Sequence, residues 1–434
     1  MNTEQFYQEA SSGRKIDIVQ FVKDLKEFQS IVIWGAGNLG KAVEKKLREL
    51  GIGIDAFWDI RFEELQNIES IPVLEPESGF DKEETLVIFC VANVPVSPTL
   101  FANLQKDGWK HILKGTYILQ GIICPLAIGE KLDTSICAKN ELCTVCNCDK
   151  LNNILIQNQS QKKGCKQEEM LTVDRVHFII NNFCNLKCTH CNRYMNSYQS
   201  AEKKNLNVDV VCKDIQMVME AIDSIGVVIV FGGETFLHPE LGNIVETVLE
   251  QDNFGAVLVN TNGVAKMKEE QICHLTDGRI RVAFSNYMNV IDDKQKEMFY
   301  HNEAILKERG VGVQVQNAVP TWVEVTTLND KHFSEEEMRK KKKNCAFPYL
   351  FIYDHKVYPC TLALSLYDLK VADYQGDYVD ITKMKSAKEL KEAIIELKKK
   401  PFYQCCSHCI DECGQVVKAA EQGYSARYAR PDKR

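Results

Sequence analysis

Three cysteines within eight residues constrain this chain more than any other feature. Cys184, Cys188 and Cys191 stand at the spacing C-x3-C-x2-C. Because a 4Fe–4S cluster normally takes four cysteine thiolates, three thiols on one loop would leave one iron open for chemistry. The apolar run 174–181 before the loop predicts a buried strand. The loop would then lie at the carboxyl end of a strand, where α/β folds place their sites.

Three further motifs follow the cysteine loop, each at the end of a predicted strand. Gly232, Gly233 and Glu234 come directly after the β-branched run 227–231, and Asn262 lies in a Thr-Asn-Gly turn after the run 256–260. Ser285 follows a fourth run, 281–284, and residues 312–316 predict a fifth strand. In this order the cysteine spacing and the strand-end motifs resemble the radical SAM superfamily.

The resemblance implies a fold, a cofactor set and a reaction. The fold is a partial (β/α)6 barrel over residues 171–335. Cys184, Cys188 and Cys191 are implied to hold a 4Fe–4S cluster whose open iron binds S-adenosylmethionine. One electron then cleaves the sulfonium to methionine and a 5′-deoxyadenosyl radical, which abstracts hydrogen from a substrate. The residues implied to bind S-adenosylmethionine are Gly232, Gly233, Glu234, Asn262 and Ser285. Thr235 stands where the family usually has proline, and a zinc knuckle is the alternative for the cysteine loop.

The N-terminal part of the chain predicts a Rossmann-like, doubly wound α/β domain over residues 28–116, after a helical segment at 1–27. Its G-x-G-x-x-G motif, formed by Gly35, Gly37 and Gly40, lies between a short apolar strand and a helical pattern. Asp59 ends the next predicted strand, where an acid can hydrogen-bond the ribose of a dinucleotide. The functional interpretation is binding of NAD or a nucleotide sugar by these four residues. The alternative is a scaffold or docking domain that keeps the turn but binds no ligand.

A cysteine-rich connector covers residues 117–170. Cys137, Cys143, Cys146 and Cys148 are candidate ligands of a further metal, with Cys124 and Cys165 nearby. A structural zinc, another iron–sulfur cluster and a redox-active dithiol all remain open. The polar stretch from 149 to about 170 predicts an exposed linker.

Residues 336–434 resemble the SPASM/twitch extension of radical SAM proteins, which holds an auxiliary 4Fe–4S cluster. The predicted elements are a hairpin at 349–360 and a helix at 386–397. Carried over by position, the auxiliary ligands are Cys345, Cys360, Cys406 and Cys409. Cys405 and Cys413 compete for ligation, and a zinc site is the alternative. His355 stands where the family usually has glycine.

Composition agrees with a cytoplasmic redox enzyme. The chain has 434 residues, a formal net charge of −7 and 18 cysteines. This length predicts about two to four domains. Without an apolar export signal or a membrane-length run, the cysteines indicate metal or redox ligands rather than disulfides. The net negative charge argues against nucleic acid as the main partner.

The resemblance to radical SAM proteins implies an oxidoreductase that receives electrons from a flavodoxin- or ferredoxin-type donor. The resemblance to Rossmann-like modules of surface-polysaccharide biosynthesis favours a sugar or nucleotide-sugar substrate, with a net oxidation as the reaction. The main alternative is a radical SAM enzyme that modifies a peptide. Two further hypotheses are an NAD-dependent oxidoreductase whose clusters only relay electrons, and a regulatory protein that senses a nucleotide.

Overall fold

The computed structural model describes residues 2–91, 97–139, 143, 148–316, 320–345, 349–410 and 415–423. The candidate ligands Cys146 and Cys413 therefore lie outside the described residues. The chain divides into two compact units, residues 1–132 with 139–158, and residues 133–138 with 159–434. In the described ranges, no helix combines the length and the apolar character needed to cross a membrane.

The first unit is built on one six-stranded sheet. Its elements up to the last sheet strand are α1 Thr3–Ser11, α2 Ile18–Leu25, β1 Ser30–Trp34, α3 Asn38–Glu49, β2 Ala56–Trp58, α4 Phe62–Leu65, β3 Asn67–Ile68, β4 Ile71–Leu74, β5 Thr85–Phe89, α5 Ser97–Lys106 and β6 His111–Lys114, followed by α6 Gly115–Ile118. The strand order is β3-β4-β2-β1-β5-β6, and all neighbours are parallel except β3 and β4.

Both faces of this sheet are covered, which explains why its central strands are continuous apolar runs. On one face Ile31 and Ile33 of β1 pack with Phe21 of α2 and Val43 of α3. The other face carries an aromatic cluster formed by Trp34, Trp58, Phe89 and Trp109 with Val32, Val87 and Leu104. The result is a parallel α/β sheet, and its assignment as a Rossmann-like domain stays a prediction.

The prediction of an exposed linker after residue 149 is wrong for most of its length. Residues Asp149–Lys163 form helix α8, which follows the short helix α7 Ser135–Lys139. Leu151, Ile154 and Leu155 are buried at the i, i+3, i+4 spacing of a helix face. The many Asn and Gln residues on the other faces hid this narrow apolar stripe.

The second unit is built on an eight-stranded sheet with the order β11-β10-β9-β8-β7-β13-β14-β15. Its remaining helices and strands are β7 Thr172–Ile179, α9 Val208–Ala221, β8 Ser224–Phe231, α10 Leu241–Leu249, β9 Phe254–Thr261, α11 Glu269–Ile272, β10 Ile280–Phe284, α12 Asp293–Glu308, β11 Val313–Val315, β12 Thr321–Glu324, α13 Glu335–Lys343, β13 Leu350–Tyr353, β14 Lys356–Tyr358, α14 Thr361–Asp368, β15 Val379–Asp380, α15 Ala387–Lys399 and β16 Gln415–Lys418.

Six neighbouring strands of this sheet, from β11 to β13, are parallel. They include all five strands predicted for the barrel, and β8 is buried along almost its whole length. Helices such as α9 and α10 connect consecutive strands, as parallel pairing requires. The carboxyl ends of the strands therefore meet at one edge, which brings together the loops after β7, β8, β9 and β10.

The C-terminal part of the chain contributes directly to this sheet. Strand β13 of the predicted hairpin pairs with β7, the first barrel strand, so the extension continues the sheet. The hairpin turn places Asp354 and His355 at φ values of 48° and 61°. Left-handed backbone disfavours side chains other than glycine. Here Asp214 stabilises the turn by accepting hydrogen bonds from the backbone N–H of His355 at 2.9 Å and from its ring at 2.8 Å.

Strands β12 and β16 form a separate antiparallel ribbon. Beyond β16 the chain reaches the cysteine loop, where the Thr189 N–H donates to the Glu421 carbonyl at 2.7 Å. The Gly423 N–H in turn donates to the Lys187 carbonyl at 2.9 Å. The segment after β16 therefore packs against the backbone of the predicted cluster loop.

Candidate metal centre and active site

Cys184, Cys188 and Cys191 line a cavity of about 560 Å³ at the carboxyl ends of the parallel strands. Two of the sulfurs accept hydrogen bonds from N–H groups. Cys184 Sγ accepts from the Leu186 backbone and from Asn262 Nδ2, each at 3.4 Å. Cys188 Sγ accepts from Gln422 Nε2 at 3.3 Å. Hydrogen bonds of this kind stabilise the thiolate ligands of iron–sulfur clusters.

The donor set fits a cluster with one open iron. Burial raises the pKa of Cys184 to about 12 and that of Cys188 to about 11, so a bound metal must supply the charge that stabilises these thiolates. In the part of the chain that is described, no three His, Cys, Asp or Glu side chains converge on a single ion position. A cubane needs ligands spread over separate irons, and three thiols around one cavity provide that spread.

The Gly-Gly-Glu turn packs against the start of the cysteine loop. A Cβ on Gly232 would lie 2.0 Å from Asn181 Oδ1, and one on Gly233 would lie 2.1 Å from the Phe183 carbonyl oxygen. The Gly233 N–H donates to Asn181 Oδ1 and the Glu234 N–H to the Phe183 carbonyl, both at 2.9 Å. Only glycine allows this approach, which fixes the turn after β8 to the loop after β7.

The carboxylate of Glu234 joins the turns after β8 and β9. It is buried and accepts hydrogen bonds from Thr261 Oγ1 at 2.7 Å, the Asn262 N–H at 2.8 Å and the Phe236 N–H at 3.1 Å. Burial raises its pKa, against the effect of these donors. The carboxylate is thus occupied by protein donors, and its pairing with the ammonium of S-adenosylmethionine stays a prediction. The side chain of Asn262 donates to Asn185 Oδ1 at 2.8 Å.

Ser285 lines the same cavity at the end of β10 and donates a hydrogen bond to Tyr287, whose pKa burial raises against the effect of that bond. Sequence reasoning missed Tyr287, Trp322 and Glu324, which also line the cavity. Glu324 Oε1 lies 2.7 Å from His190 Nδ1, and the rings of Tyr287 and Trp322 meet edge to face at 5.8 Å. Two of the three come from the β12 ribbon, which carries no recognisable motif.

The cysteines predicted to hold an auxiliary cluster are brought together in the second unit. The Cys409 thiol interacts electrostatically with Cys406, Cys360 and Cys345, and burial raises its pKa to about 12. Cys405 joins them, because its sulfur lies 3.7 Å from that of Cys360. Five thiols of the described residues therefore lie together here, and the choice of four ligands, for which Cys413 also competes, stays a prediction.

The connector cysteines are divided between the two units. Cys143 and Cys148 of the first unit interact electrostatically with Cys124, and burial raises the pKa of Cys143 to about 11. The buried Lys150 donates to the Cys124 carbonyl at 3.1 Å. Cys137 lies in α7 of the second unit. The predicted four-cysteine metal set is therefore not described as one group, and its role stays a prediction.

The glycine turn of the first unit has the backbone that its motif predicts. Gly35 has a φ of +113°, and a Cβ on Gly40 would lie 1.9 Å from the Gly35 carbonyl oxygen. A Cβ on Gly37 would meet nothing within 4 Å, so this glycine is not required by packing. Asp59 Oδ2 accepts from the Ala36 N–H at 2.9 Å, and the carboxylate also pairs with Arg61. Since protein donors already use this carboxylate, its contact with a ribose stays a prediction.

Residues 178–286 match the family model of the Radical SAM superfamily. The chain contains a radical SAM domain. The radical SAM domain begins within β7 and ends after Ser285, so it includes the cysteine loop, the Gly-Gly-Glu turn and Asn262. Domains of this family work with a 4Fe–4S cluster and S-adenosylmethionine, and the match supports an enzyme.

Solved structures with some similarity include three complexes. Native anSMEcpe with bound AdoMet and Cp18Cys peptide is 12% identical, with a TM-score of 0.37 over 56% of this chain and 84% of that chain. BtrN in complex with AdoMet and 2-DOIA is 14% identical, with a TM-score of 0.35 over 58% and 97%. Streptococcus suis SuiB bound to precursor peptide SuiA is 14% identical, with a TM-score of 0.29 over 51% and 46%. Because these scores are low, we base no conclusion on them. No curated protein matches the chain.

Proposed function

We propose that the chain is a radical SAM enzyme in which Cys184, Cys188 and Cys191 hold a 4Fe–4S cluster with one open iron. The observation that carries this proposal is the convergence of the three thiols, the Gly-Gly-Glu turn and Asn262 on one cavity. When bound there, the cluster and S-adenosylmethionine supply a 5′-deoxyadenosyl radical by one-electron cleavage of the sulfonium.

The chain's own residues bind and orient in this scheme. Gly232 and Gly233 bring backbone close to the ligand, and Asn262 is held beside Cys184 by its bonds to the sulfur and to Asn185. The hydroxyl of Ser285 is a candidate contact for the ribose. The rings of Tyr287 and Trp322 form one wall of the cavity, and orientation of a bound ligand contributes much of the rate of a positioned reaction.

The proposal extends to the auxiliary site. Cys345, Cys360 and Cys409, with either Cys405 or Cys406 as the fourth ligand, would hold a second cluster with no open iron. When held by these four thiols, such a cluster would supply an acceptor for the electron left on the substrate radical, and the net reaction would then be an oxidation. A flavodoxin- or ferredoxin-type protein is the proposed electron donor for the first cluster.

A sugar or nucleotide sugar is the proposed substrate. Support comes from the glycine turn in the first unit: a Cβ on Gly37 would meet nothing within 4 Å, so packing within the chain does not require this glycine, and a glycine-rich turn before a helix can bind phosphate. A peptide is the alternative substrate within the same reaction class. The alternative from a different reaction class is an NAD-dependent oxidoreductase whose clusters only relay electrons.

Anaerobic reconstitution of the full chain, followed by incubation with S-adenosylmethionine and dithionite, tests the proposal. We expect 5′-deoxyadenosine and methionine from the wild type and neither product from Cys188→Ala. The matched control is Cys273→Ala, because Cys273 is exposed and lies outside the cavity. Cleavage retained in Cys188→Ala would refute the ligand assignment, and a wild type that forms no 5′-deoxyadenosine would favour the electron relay.

A further inference from the structure

Arg193 is a buried cation in the wall of the cavity. It follows Cys191 by two residues and is only 4% exposed. Its Nη1 donates to Ser365 Oγ at 3.4 Å. Among the residues that the structure describes, Nε and Nη2 have no hydrogen-bond partner. A buried charged group without partners is costly, so these two donors indicate a ligand.

The two free donors have the geometry of a bidentate site. In a guanidinium group the Nε–H and Nη2–H bonds point in the same direction, and their spacing matches the two oxygens of a carboxylate or a phosphate. Ser365 holds the opposite nitrogen, and the ring of Phe231 lies 5.9 Å from the guanidinium carbon. Ser365 therefore holds one side of the guanidinium group, while its buried Nε–Nη2 edge has no hydrogen-bond partner among the described residues.

The carboxylates around the cavity are committed to other groups. Glu324 pairs with His190, and Glu234 accepts three hydrogen bonds. Asp368, on the same helix as Ser365, accepts from Tyr198 at 2.7 Å and from Asn182 at 3.4 Å. In the described ranges none of these side chains forms an ion pair with Arg193, so this part of the chain does not supply the complementary anion.

We propose that Arg193 binds an oxyanion, a carboxylate or a phosphate, carried by the substrate. This inference rests on the proposed function and narrows its substrate class, because an uncharged sugar would leave the guanidinium edge unpaired. It also makes Arg193 a specificity residue, because a bound ligand that lacks the oxyanion would leave the buried Nε and Nη2 donors without hydrogen bonds.

The anchor of Arg193 lies apart from two of the residues predicted to contact S-adenosylmethionine, although its guanidinium group lies near Phe231, which precedes Gly232, so the experiment below has to separate the substrate from S-adenosylmethionine as the source of the oxyanion. This anchor, Ser365, belongs to α14, which packs on β13. Asn262 and Ser285, predicted to contact S-adenosylmethionine, follow β9 and β10. In the sheet order β13 is three strands from β9, which corresponds to about 14 Å at the usual spacing between strands.

The test uses the anaerobically reconstituted full chain, saturated with S-adenosylmethionine. NMR line broadening measures the affinity for inorganic phosphate (31P) and for acetate (13C), and the affinity for S-adenosylmethionine is measured separately. The variants are Arg193→Gln and Arg193→Lys. Lysine keeps the positive charge but lacks the paired N–H donors of the guanidinium group. Arg309→Gln is the control, since Arg309 is half-exposed and pairs with Glu269. Iron content and thermal stability establish that each variant is folded.

We expect saturable binding of at least one anion to the wild type and to Arg309→Gln. Arg193→Gln should lose about tenfold or more in that affinity, and Arg193→Lys should lose less. Tighter binding of phosphate than acetate would assign a phosphorylated substrate, and the reverse a carboxylate. Equal anion affinity in wild type and Arg193→Gln would overturn the inference. So would a loss confined to S-adenosylmethionine affinity, which would identify its carboxylate as the anion. A wild type that binds the anion but forms no 5′-deoxyadenosine would contradict the proposed function alone.

Discussion

Replacing Glu234 by Gln tests whether this residue acts as a structural link or as a ligand. Its two carboxylate oxygens accept three hydrogen bonds from the turns after β8 and β9. Gln keeps one oxygen, so its amide nitrogen must face a donor, in the simplest arrangement the Asn262 N–H. One bond is lost, and a buried donor is left unsatisfied.

The expected loss of stability follows from that count. An unsatisfied buried donor costs about 1–3 kcal/mol in the free energy of unfolding. For a unit of this size, each kcal/mol lowers the melting temperature by about 2–4 °C. The Asn262 side chain contacts Cys184 Sγ, so a shift of this turn should also reduce cluster retention. Denaturant unfolding, iron content and the affinity for S-adenosylmethionine, all measured anaerobically, would show both effects.

Glu250→Gln is the matched control, because Glu250 is exposed at the end of α10 and should be neutral. The alternative is that the Glu234 carboxylate pairs with the ammonium of S-adenosylmethionine. In that case Glu234→Gln would bind S-adenosylmethionine more weakly at unchanged stability. An unchanged free energy of unfolding with weakened binding would therefore refute the structural role.

Three further outcomes are expected. Burial raises the pKa of Asp59, but hydrogen bonds from Arg61 and the backbone outweigh this effect and hold the pKa below its usual value. The contribution of Asp59 to stability is therefore present above about pH 4 and is lost as pH falls through the folded-state pKa. We expect Asp59→Asn to be less stable than the wild type at pH 7 and to show a weaker acid dependence in thermal melts. Gly40→Ala should lose about 1–3 kcal/mol through the clash at its Cβ, whereas Gly37→Ala, which meets nothing within 4 Å, should melt like the wild type. Gln422→Ala removes the N–H donor to Cys188 Sγ and should lower the cluster's reduction potential in an EPR redox titration; an unchanged potential would contradict that contact.

The parts of the fold that could be predicted from sequence rest on local patterns. The run Val227–Phe231 is apolar on both faces because both faces of β8 are covered, and its buried character is visible residue by residue. Gly232 and Gly233 mark a close backbone approach that only glycine allows. Since parallel strands end at one edge, such strand-end motifs predict a shared site even before their contacts are known.

The parts that could not be predicted depend on contacts between distant segments. Gln422 contacts Cys188, which lies 234 positions earlier in the sequence, and in the pairing of β13 with β7 Leu350 lies beside Val176. No local pattern encodes these pairings. Arg193 was missed for a different reason: an arginine in a loop is usually exposed, and only its burial, and the lack of a partner for Nε and Nη2 among the described residues, distinguish it.

The most direct test of the central claim is the EPR spectrum of the dithionite-reduced full chain, recorded before and after addition of S-adenosylmethionine. The account predicts a 4Fe–4S signal that changes shape on addition and is lost when Cys184, Cys188 and Cys191 are all replaced by alanine. Zinc bound at that loop, or the absence of any cluster signal that S-adenosylmethionine changes, would contradict it.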